Sequence, residues 1–502
     1  MNLRALPLFI YILFSTIVLM IVPAGFSFFI GEAQAGRVYL LSATILMTLT
    51  AIIAIAMLNR KPKSSGRLHL ITLLMAYLFI PLICALPFSN LVPEISISQA
   101  YFEMMSSFTT TGASMFEEPS DLSKPLHLWR SIVGWYGGFF ILVAAVSIME
   151  PLNLGGFEIR SRKVAPSSGL QVKSGQSASP SDRIIRSVRT IAPLYVFLTG
   201  LLTLFLVVLG DNSFVAVSHA MAILSTSGIS PVGGLEQSQA GILGEFVIFV
   251  FFIFALSHRF FITKKGSVGA TLISEPELRI AILVALVVSL LLFLFHFIGI
   301  ASDGAEFTFL RAFYAWWGGL FTSLSFITTT GFVSDHWALA KVWANLNGTG
   351  LILLSLTIMG GGIATTAGGV KLLRIYVLYK HGERELTRLV HPSSIAGFGT
   401  DARHIRREGA YVTWMFVMLF VLSIAGISLA LSLCGLEFES AFVLAIASLS
   451  NNGPLAAAFG GEIESYGSLT DNARMYLDIS MIIGRMEVLA VVALLNPSLW
   501  RL

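Results

Sequence analysis

Four short polar stretches interrupt an otherwise apolar sequence, and each ends with one glycine after threonine, serine or asparagine. They read MMSSFTTTGAS (104–114), AILSTSGIS (222–230), LSFITTTGFVS (324–334) and IASLSNNGPL (446–455). Backbone carbonyls in such a turn can replace the water shell of a cation. Glycine permits the positive φ values that direct successive carbonyls to one side. The stretches therefore predict a cation site built from main-chain oxygens.

The four stretches occupy equivalent places in the chain. Each follows a predicted spanning helix and a short amphipathic helix of about ten to fifteen residues, which is too short to cross a bilayer. The chain must therefore dip into the membrane and return, and irregular backbone at that depth has to line an aqueous path or be buried in protein. One copy of TTTG is typical of an ordinary helix-ending loop, whereas four matching copies indicate a ring. The candidate filter residues are Thr110, Thr111, Gly112, Thr226, Ser227, Gly228, Thr329, Thr330, Gly331, Asn451, Asn452 and Gly453.

A glycine-rich segment lies in the middle of the predicted eighth span, residues 344–376. That span is too long for one straight crossing, and its centre reads MGGGIATTAGGVK (359–371). Glycine weakens a helix, and a broken helix at membrane depth lines a cavity. We interpret the segment as a gate below the filter, with candidate residues Gly360, Gly361, Gly362, Thr365, Thr366, Gly368 and Gly369. A helix-packing face remains an alternative, whereas a nucleotide P-loop fails because Ala367 stands where that motif needs glycine.

Two charged residues, Arg485 and Glu487, fall inside the predicted last span. Charges at that depth cost free energy, so they face a cavity or a partner charge. We assign both to the gate, and a structural ion pair that joins helices is a compatible alternative.

The elements that position these residues are membrane helices. The chain has 502 residues, 55% of them hydrophobic and 12% charged, about half the charge of a soluble domain. Lys and Arg concentrate in the connections 58–68, 151–190, 259–279 and 371–407, which should face the cytoplasm together with both termini. The predicted crossings are 7–30, 38–58, 69–89, 128–150, 191–210, 241–262, 279–300, 344–376, 409–434 and 473–496.

These stretches resemble the pore loops of the Trk/Ktr/HKT superfamily of potassium transporters, and the sequence is most similar to the bacterial TrkH type. The most specific match is FITTTGFVSDHW (326–337). The stretch MIIGRMEVLAVVALLNPSLWR (481–501) looks like the closing Gly-Arg-x-Glu helix of that family. Residues 7–58 resemble the two additional N-terminal spans of the TrkH type.

The resemblance implies potassium uptake across the bacterial inner membrane, with K⁺ as the transported ion and no bound organic cofactor. It implies that Arg485 lies in the pore beneath the filter and opposes cation flow, and that Gly112 favours potassium over sodium. It also implies a homodimer in the lipid bilayer and a cytoplasmic TrkA-like regulatory subunit that binds NAD or ATP. Ala364 and Thr365 depart from the Gly-Ser pair that is usual in the family gate. Channel-like flow and coupling to Na⁺ or H⁺ both remain open.

We therefore predict an all-α polytopic membrane protein with four helix–pore-loop–helix repeats in pseudo-fourfold arrangement around one pore. The predicted units are an N-terminal two-helix extension (1–60) and pore repeats at 61–165, 166–275, 276–405 and 406–502, the third with a broken second helix.

The sequence disfavours two other classes of membrane protein. A coupled transporter of an organic solute predicts inverted halves with two unwound helices, not four like-oriented loops. A membrane enzyme requires converging nucleophile, base or metal residues, and the sequence shows none. Nothing in the sequence indicates binding to nucleic acid.

Overall fold

The computed structural model consists of helices and connecting loops, without strands, over the residues that it describes. These are 8–57, 66–152, 154, 180–262, 275–299, 309–344, 348–391, 407–460 and 463–495. In a bilayer the backbone groups of an apolar segment must bond within the segment, and the helix satisfies this requirement. The all-helical prediction is confirmed for this part of the chain. Three of the four predicted repeat boundaries, at 60/61, 165/166 and 405/406, lie outside the described residues.

The N-terminal extension contains three helices, and the first predicted span is divided in two. Met20 separates the first helix from the second, although together they still form one apolar span of 22 residues. The helices are α1 (Leu8–Leu19), α2 (Ile21–Phe29) and α3 (Ala33–Met57).

Each repeat consists of an outer helix, a pore helix and an inner helix, in that order. The first repeat contains α4 (Gly66–Leu91), α5 (Ile97–Phe108) and α6 (Lys124–Ala144). The second contains α7 (Pro180–Val208), α8 (Ser213–Ser225), α9 (Gly241–Phe251), α10 (Ile253–Leu256) and α11 (Arg259–Ile262). The third contains α12 (Pro276–Gly299), α13 (Phe309–Ile327), α14 (Trp337–Ala344), α15 (Thr349–Met359) and α16 (Leu372–Val390). The fourth contains α17 (Arg407–Leu433), α18 (Phe438–Leu449), α19 (Leu455–Phe459), α20 (Asp471–Met486) and α21 (Val488–Leu495).

Burial separates the lipid-facing helices from those around the centre. In the most apolar stretch of α12 and of α17 only 28% of the residues are buried, and their exposed side chains are large and apolar. In the first inner helix the corresponding fraction is 72%. Wide apolar faces of this kind are stable against lipid tails. The outer helices therefore form the lipid contact, and the pore and inner helices enclose the centre.

Fewer helices cross without interruption than the sequence predicts. Seven spans in the described residues are long and apolar enough to cross alone, and α14 and α15, bent by 120°, form an eighth if taken together. The predicted spans 241–262 and 473–496 are interrupted, as well as the predicted broken span 344–376. In the structure, the helix of the predicted span 344–376 begins at Thr349 rather than at residue 344. The third pore helix, α13, has 19 residues and exceeds the predicted length.

Polar side chains cap the starts of the first two pore helices, close to the ends of the preceding outer helices. Ser96 and Gln99 form a capping box at the start of α5, and the Asn212 side chain accepts a hydrogen bond from Phe214 N at the start of α8. Such caps satisfy the free N–H groups of a first turn. The C-terminal ends of these helices consequently point into the protein, toward the predicted filter.

Candidate ion-permeation site

All four pore helices end in the same backbone motif. A residue just after each helix takes the left-handed conformation: it is the first residue after α8 and the second after the other three. The N–H of the residue that follows it bonds to a carbonyl five residues earlier. The left-handed residues are Thr110 (φ 54°), Thr226 (φ 54°), Thr329 (φ 54°) and Asn451 (φ 50°). The donor and acceptor pairs are Thr111 with Ser106 (2.8 Å), Ser227 with Ala222 (2.9 Å), Thr330 with Ser325 (3.0 Å) and Asn452 with Ala447 (2.8 Å). This is a Schellman termination, in which glycine usually supplies the left-handed residue.

Three of the left-handed residues are threonines, whose branched Cβ disfavours that conformation. A residue held in a sparsely populated region costs on the order of 1–3 kcal/mol, and such strain concentrates at functional sites. The sequence analysis assigned positive φ to the glycines, and three of the four glycines do take it. The left-handed threonine or asparagine lies two positions before the glycine in every loop, and the sequence analysis did not predict it.

The layout shared by the four loops brings their glycines into contact with neighbouring loops. Gly112, Gly228 and Gly331 have φ values of 73°, 62° and 78°, whereas Gly453 is outside the left-handed region. In each case a Cβ would collide with the next loop. The colliding pairs are Gly112 with Ser227 O (1.9 Å), Gly228 with Thr330 O (2.2 Å), Gly331 with Asn452 Oδ1 (2.3 Å) and Gly453 with Ala113 N (2.2 Å).

These contacts join the loops in the order one, two, three, four and back to one. We call residues 110–112, 226–228, 329–331 and 451–453 the filter loops. The ring is closed by a direct hydrogen bond from Gly453 N to Thr111 O at 2.6 Å. The structure thus assembles all twelve sequence-predicted filter residues at one place, with the C-terminal ends of four helices around them. The partial negative charge of those ends favours a cation.

The fourth filter loop differs from the other three because its asparagines bond outside the loop. Asn451 Nδ2 donates to Thr111 Oγ1 at 3.0 Å and to Met481 O at 3.1 Å. Asn452 Nδ2 donates to Thr357 Oγ1 of the third inner helix at 3.0 Å. The fourth loop thereby ties the ring to two inner helices.

Buried polar side chains that the sequence analysis missed hold the last residue of each of these filter loops and the few residues that follow it, here called the outer limbs. In the first repeat Glu103 pairs with Arg130 at 2.7 Å and accepts a hydrogen bond from Met115 N at 3.1 Å. In the fourth, Tyr466 donates to the carbonyl of Gly453 at 3.0 Å. These partners fix the backbone of each limb, as a rigid ring of carbonyls requires.

The outer limb of the third loop is held by a residue of the second repeat. Glu245 accepts hydrogen bonds from Trp317 Nε1 (2.8 Å), Ser334 Oγ (2.8 Å) and Asp335 N (2.7 Å). The carboxylate is buried, and all of these partners are donors. Neighbouring repeats are therefore joined by a charge-assisted network.

Every inner helix loses regular α-helical structure in its course. The first passes into a π-helix at Ala145–Met149. The second ends at Leu256, and Ser257 is extended. The third stops at Gly360 (φ 70°), and the fourth is interrupted at Glu487 (φ 64°). The sequence predicts only the third interruption, because only that one contains a glycine run.

Residues 360–371, here called the gate loop, pack directly against the base of the filter loops. A Cβ on Gly368 would lie 1.9 Å from Ser450 O, and Gly368 N donates to Thr329 Oγ1 at 2.7 Å. Gly360 and Gly369 have φ values of 70° and 74°, and a Cβ on either would lie within 3 Å of backbone atoms. The glycines therefore permit both the conformation and the close approach.

The remaining predicted gate residues are bonded within the loop or to other repeats. Thr365 Oγ1 donates to Gly362 O at 2.7 Å, and Thr366 Oγ1 donates to Leu224 O of the second pore helix at 3.4 Å. Gly362 N donates to Ala255 O at 3.2 Å, and Gly361 O accepts from Leu372 N at 3.0 Å. The loop is thus tied to the second repeat as well as to its own.

Arg485 connects the filter loops to the gate loop. Its Nε donates to Thr109 O at 2.7 Å, its Nη1 to Thr366 O and its Nη2 to Thr110 Oγ1. The side chain is buried. A cationic guanidinium therefore lies directly beneath the first filter loop, bonded to both of the structures that it separates.

Glu487 does not pair with Arg485 but with Arg374 of the third repeat, at 2.6 Å. The Arg374 guanidinium also lies 3.7 Å from the ring centre of Phe416. Both charged groups are buried, so their mutual attraction offsets a large desolvation cost. The pair joins the interruption of the fourth inner helix to the helix that follows the gate loop.

A cavity of about 20 Å³ remains beneath the filter, enough for about one water molecule. It is lined by Ile141, Ala145, Met149, Ala364, Thr365, Ala367, Lys371, Gly484, Arg485 and Glu487. Lys371, which the sequence analysis did not assign, is buried and donates from Nζ to Ala367 O. Within the described residues no group of three His, Cys, Asp or Glu side chains could hold a metal ion.

In this chain four buried pore-helix ends form a ring inside a lipid-facing helical shell, which indicates a membrane protein that transports cations. Residues 67–500 match the TrkH family, described as a cation transport protein, and the chain belongs to this family. It is a multi-pass membrane transport protein rather than an enzyme, and the resemblance and fold class predicted from the sequence are confirmed.

Relatives with established names match most of the chain. It is 29% identical over 427 residues to the Trk system potassium uptake protein TrkH of Salmonella typhimurium, covering 83% of this chain and 82% of that one. It is 28% identical over 459 residues to the protein of the same name from Escherichia coli K12, with 88% of each chain covered. The crystal structure of the potassium transporter TrkH from Vibrio parahaemolyticus superimposes with a TM-score of 0.80 at 25% identity, over 100% of both chains.

Proposed function

We propose that this chain takes up potassium ions across the bacterial inner membrane through one pore. The observation that carries the proposal is the closed sequence of contacts that joins the four filter loops into a ring. The names of the related proteins, which denote potassium uptake, support the choice of ion.

In this proposal the filter loops coordinate a dehydrated K⁺ through their carbonyl oxygens. The rigid outer limbs held by Glu103, Glu245 and Tyr466 keep the ring from collapsing onto a smaller ion. Four helix ends add a favourable field for a single positive charge. Ring geometry and field together would favour K⁺ over Na⁺.

The gate loop and Arg485 close the path on the cytoplasmic side of the filter. The loop contacts the filter base, and the guanidinium places a fixed positive charge where an ion would leave. For the gate loop to move away from the filter, two hydrogen bonds must break together. One runs from Arg485 Nη1 to Thr366 O, and the other from Gly368 N to Thr329 Oγ1. Glu487 takes part indirectly, because its pair with Arg374 holds the helix after the gate loop.

The proposed assembly is a homodimer whose termini face the cytoplasm and whose cytoplasmic face binds a TrkA-like NAD- or ATP-binding regulatory subunit. The similarity to named Trk system proteins supports the dimer and the regulatory subunit. The concentration of Lys and Arg in alternate connections supports the orientation of the termini. Light scattering of the purified protein tests the dimer, and a monomeric mass would refute it.

Uptake of radioactive rubidium into proteoliposomes tests the function. We expect uptake driven by an outward K⁺ gradient, inhibited by external K⁺ and absent from vesicles without protein. Sodium and proton gradients are then imposed separately: uptake that follows only the K⁺ gradient indicates channel-like flow, and uptake that requires either second gradient indicates coupling. If purified, folded protein carries no alkali cation under any of these gradients, the proposal is wrong.

A further inference from the structure

One buried carboxyl group, that of Asp478, takes no part in the filter loops or the gate loop. The residue is 8% exposed, and its Oδ1 has no hydrogen-bond partner among the described residues. It lies in α20, seven residues after Asp471 and seven before Arg485. Seven residues make almost two helical turns, so the three side chains share one face of α20, and Asp478 lies about 10 Å from Arg485 along the helix axis. An acidic group is therefore buried on the helix that carries the arginine beneath the filter.

The arginine one turn before Asp478 does not pair with it. Arg474 is four residues earlier, a spacing at which helical side chains can form an ion pair. Its Nε donates to Leu469 O at 3.1 Å, and its Nη2 donates to the same carbonyl. Its Nη1 lies 3.4 Å from Asp471 Oδ1 and 3.7 Å from Met115 Sδ. The donors of Arg474 are thus directed toward the start of α20 and away from Asp478.

Within the part of the chain that the structure describes, the helices packed against α20 place no cation beside Asp478. They are α4, α5, α17, α18 and α21. Tyr101 of α5 interacts electrostatically with Asp478, and its hydroxyl donates to Leu78 O at 3.3 Å. Glu103, also of α5, is paired with Arg130. The remaining titratable residues of these helices are Arg67, His69, Tyr77 and Cys84 in α4, Arg407, Glu408 and Tyr411 in α17 and Glu439 in α18, while α21 has none. The field of Arg474 is thus the one compensating charge that acts on Asp478 among the described residues.

These surroundings suit a neutral carboxyl group. A carboxylate buried without a donor loses its hydration without replacement, whereas the protonated acid carries no charge. We propose that Asp478 is a proton-binding site between the first pore helix, α5, and the last inner helix, α20. The proton comes from water and forms an O–H bond at one carboxyl oxygen. A metal ion does not suit the site, because the described residues offer no group of three acidic, cysteine or histidine side chains that could hold one.

The site is connected to the gate through the packing of α5 against α20. Asp478 acts on Tyr101, and eight residues further along α5 the carbonyl of Thr109 accepts a hydrogen bond from Arg485 Nε at 2.7 Å. Arg485 is seven residues beyond Asp478 on α20, so the two helices run side by side in the same direction between these contacts. A change at Asp478 is therefore transmitted along one helix pair to Arg485.

Loss of the proton has two effects of the same sign, and both rest on the proposed function. A negative charge without a donor separates α5 from α20 or admits water between them, and either change loosens the bonds of Arg485 at the far end of the pair. The same charge attracts a cation beside Arg485, about 10 Å away, and favours its passage by roughly tenfold at an effective dielectric constant of about 20. Proton binding and closure of the gate are linked, so each favours the other by the same factor. Rubidium uptake should therefore rise as the pH is raised.

Infrared spectroscopy of the purified protein in detergent tests the site without reference to transport. On transfer from H₂O to D₂O at neutral pH a protonated carboxyl group shifts its C=O stretching band, whereas exposed carboxylates are ionised at this pH and lack that band. We expect a band that is present in the wild type and lost in Asp478→Asn, whose side chain has the shape of the protonated acid. Glu439→Gln, which removes an exposed carboxylate of the same repeat, is the matched control and should keep the band. Equal spectra of the wild type and Asp478→Asn would overturn the proposal.

Rubidium uptake at a series of pH values tests the effect on the gate, with the same pH on both sides of the membrane. From about pH 6 to about pH 9, where exposed carboxylates stay ionised, uptake by the wild type and by Glu439→Gln should rise by about tenfold. Asp478→Asn cannot release a proton and should keep the rate found at the acidic end throughout. A pH profile of Asp478→Asn that follows the wild type would show that the gate does not depend on this group.

The two measurements separate the proton site from the transport function. If the infrared band is lost in Asp478→Asn but neither protein takes up rubidium, the proton site stands and the proposed transport function is wrong. If both proteins take up rubidium and their spectra agree, the transport function stands and the proton site does not exist.

Discussion

Replacement of Arg485 by alanine removes the side chain that joins the filter to the gate loop. Two of its three hydrogen bonds go to Thr109 O and Thr110 Oγ1 at the end of the first pore helix, and the third goes to Thr366 O of the gate loop. Only the last of these must break for the loop to move away from the filter. The variant should therefore open more easily while the filter loops keep their own Schellman bonds.

The size of the effect follows from that one bond. A hydrogen bond to a charged group contributes about 1.5–3 kcal/mol, which corresponds to about a 10- to 150-fold change in the ratio of closed to open protein. Removal of the positive charge also lowers the barrier to an ion, since two unit charges 4 Å apart repel by about 4 kcal/mol at an effective dielectric constant of 20. Both effects have the same sign, so basal rubidium uptake should rise by at least about tenfold.

The assay is the initial rate of rubidium uptake into proteoliposomes, normalised to folded protein by size-exclusion chromatography. Arg485→Lys keeps the charge but loses the forked geometry, and should give an intermediate rate. Arg474→Gln is the matched control: this buried arginine of the same helix bonds to Leu469 O and does not line the cavity. A folded Arg485→Ala protein with wild-type or lower uptake would refute the barrier role.

Three further predictions concern the framework of the site. Arg374→Met should lower the free energy of unfolding by about 3–5 kcal/mol because Glu487 is left buried and unpaired, and adding Glu487→Met should recover most of it; thermal unfolding in detergent measures both, and equal instability of the single and double variants would contradict the pairing. Gly112→Ala should abolish rubidium uptake because its Cβ would lie 1.9 Å from a neighbouring carbonyl oxygen, whereas Gly200→Ala, with no atom within 4 Å, should transport normally; equal rates in the two would argue against a tight ring. Glu245→Gln should cost about 2 kcal/mol, because the new amide group faces donors, and should reduce the K⁺-over-Na⁺ preference in competition uptake, which an unchanged preference would disprove.

The repeat and its polar turns are predictable from sequence because they depend on local signals. Apolar length defines the outer helices, and the recurring Thr/Ser/Asn-Gly stretches mark where each pore helix ends. The glycines between 360 and 369 likewise indicate a break, since the backbone conformation of Gly360, with φ of 70° and ψ of −179°, is essentially restricted to glycine. The order of the four loops around the ring follows from the chain order of the repeats.

The features missed by sequence reasoning have no local signal. Threonine at Thr110 gives no indication of a left-handed backbone, which the surrounding packing imposes against its preference. Glu487 interrupts the last inner helix without glycine or proline. The hydrogen bond from Trp317 to Glu245 joins residues 72 positions apart, and only the folded arrangement of repeats brings them together.

Within the described residues, a loop packs against the base of the filter in one repeat out of four, and this has a consequence for how such a pore can be assembled. A pore of four identical chains would have to carry four copies of any such insertion, and a space of about 20 Å³ under the filter could not receive them. Joining four unequal units in one polypeptide removes that restriction. One unit can supply the moving plug, another the guanidinium that latches it, and the other two can remain a fixed frame.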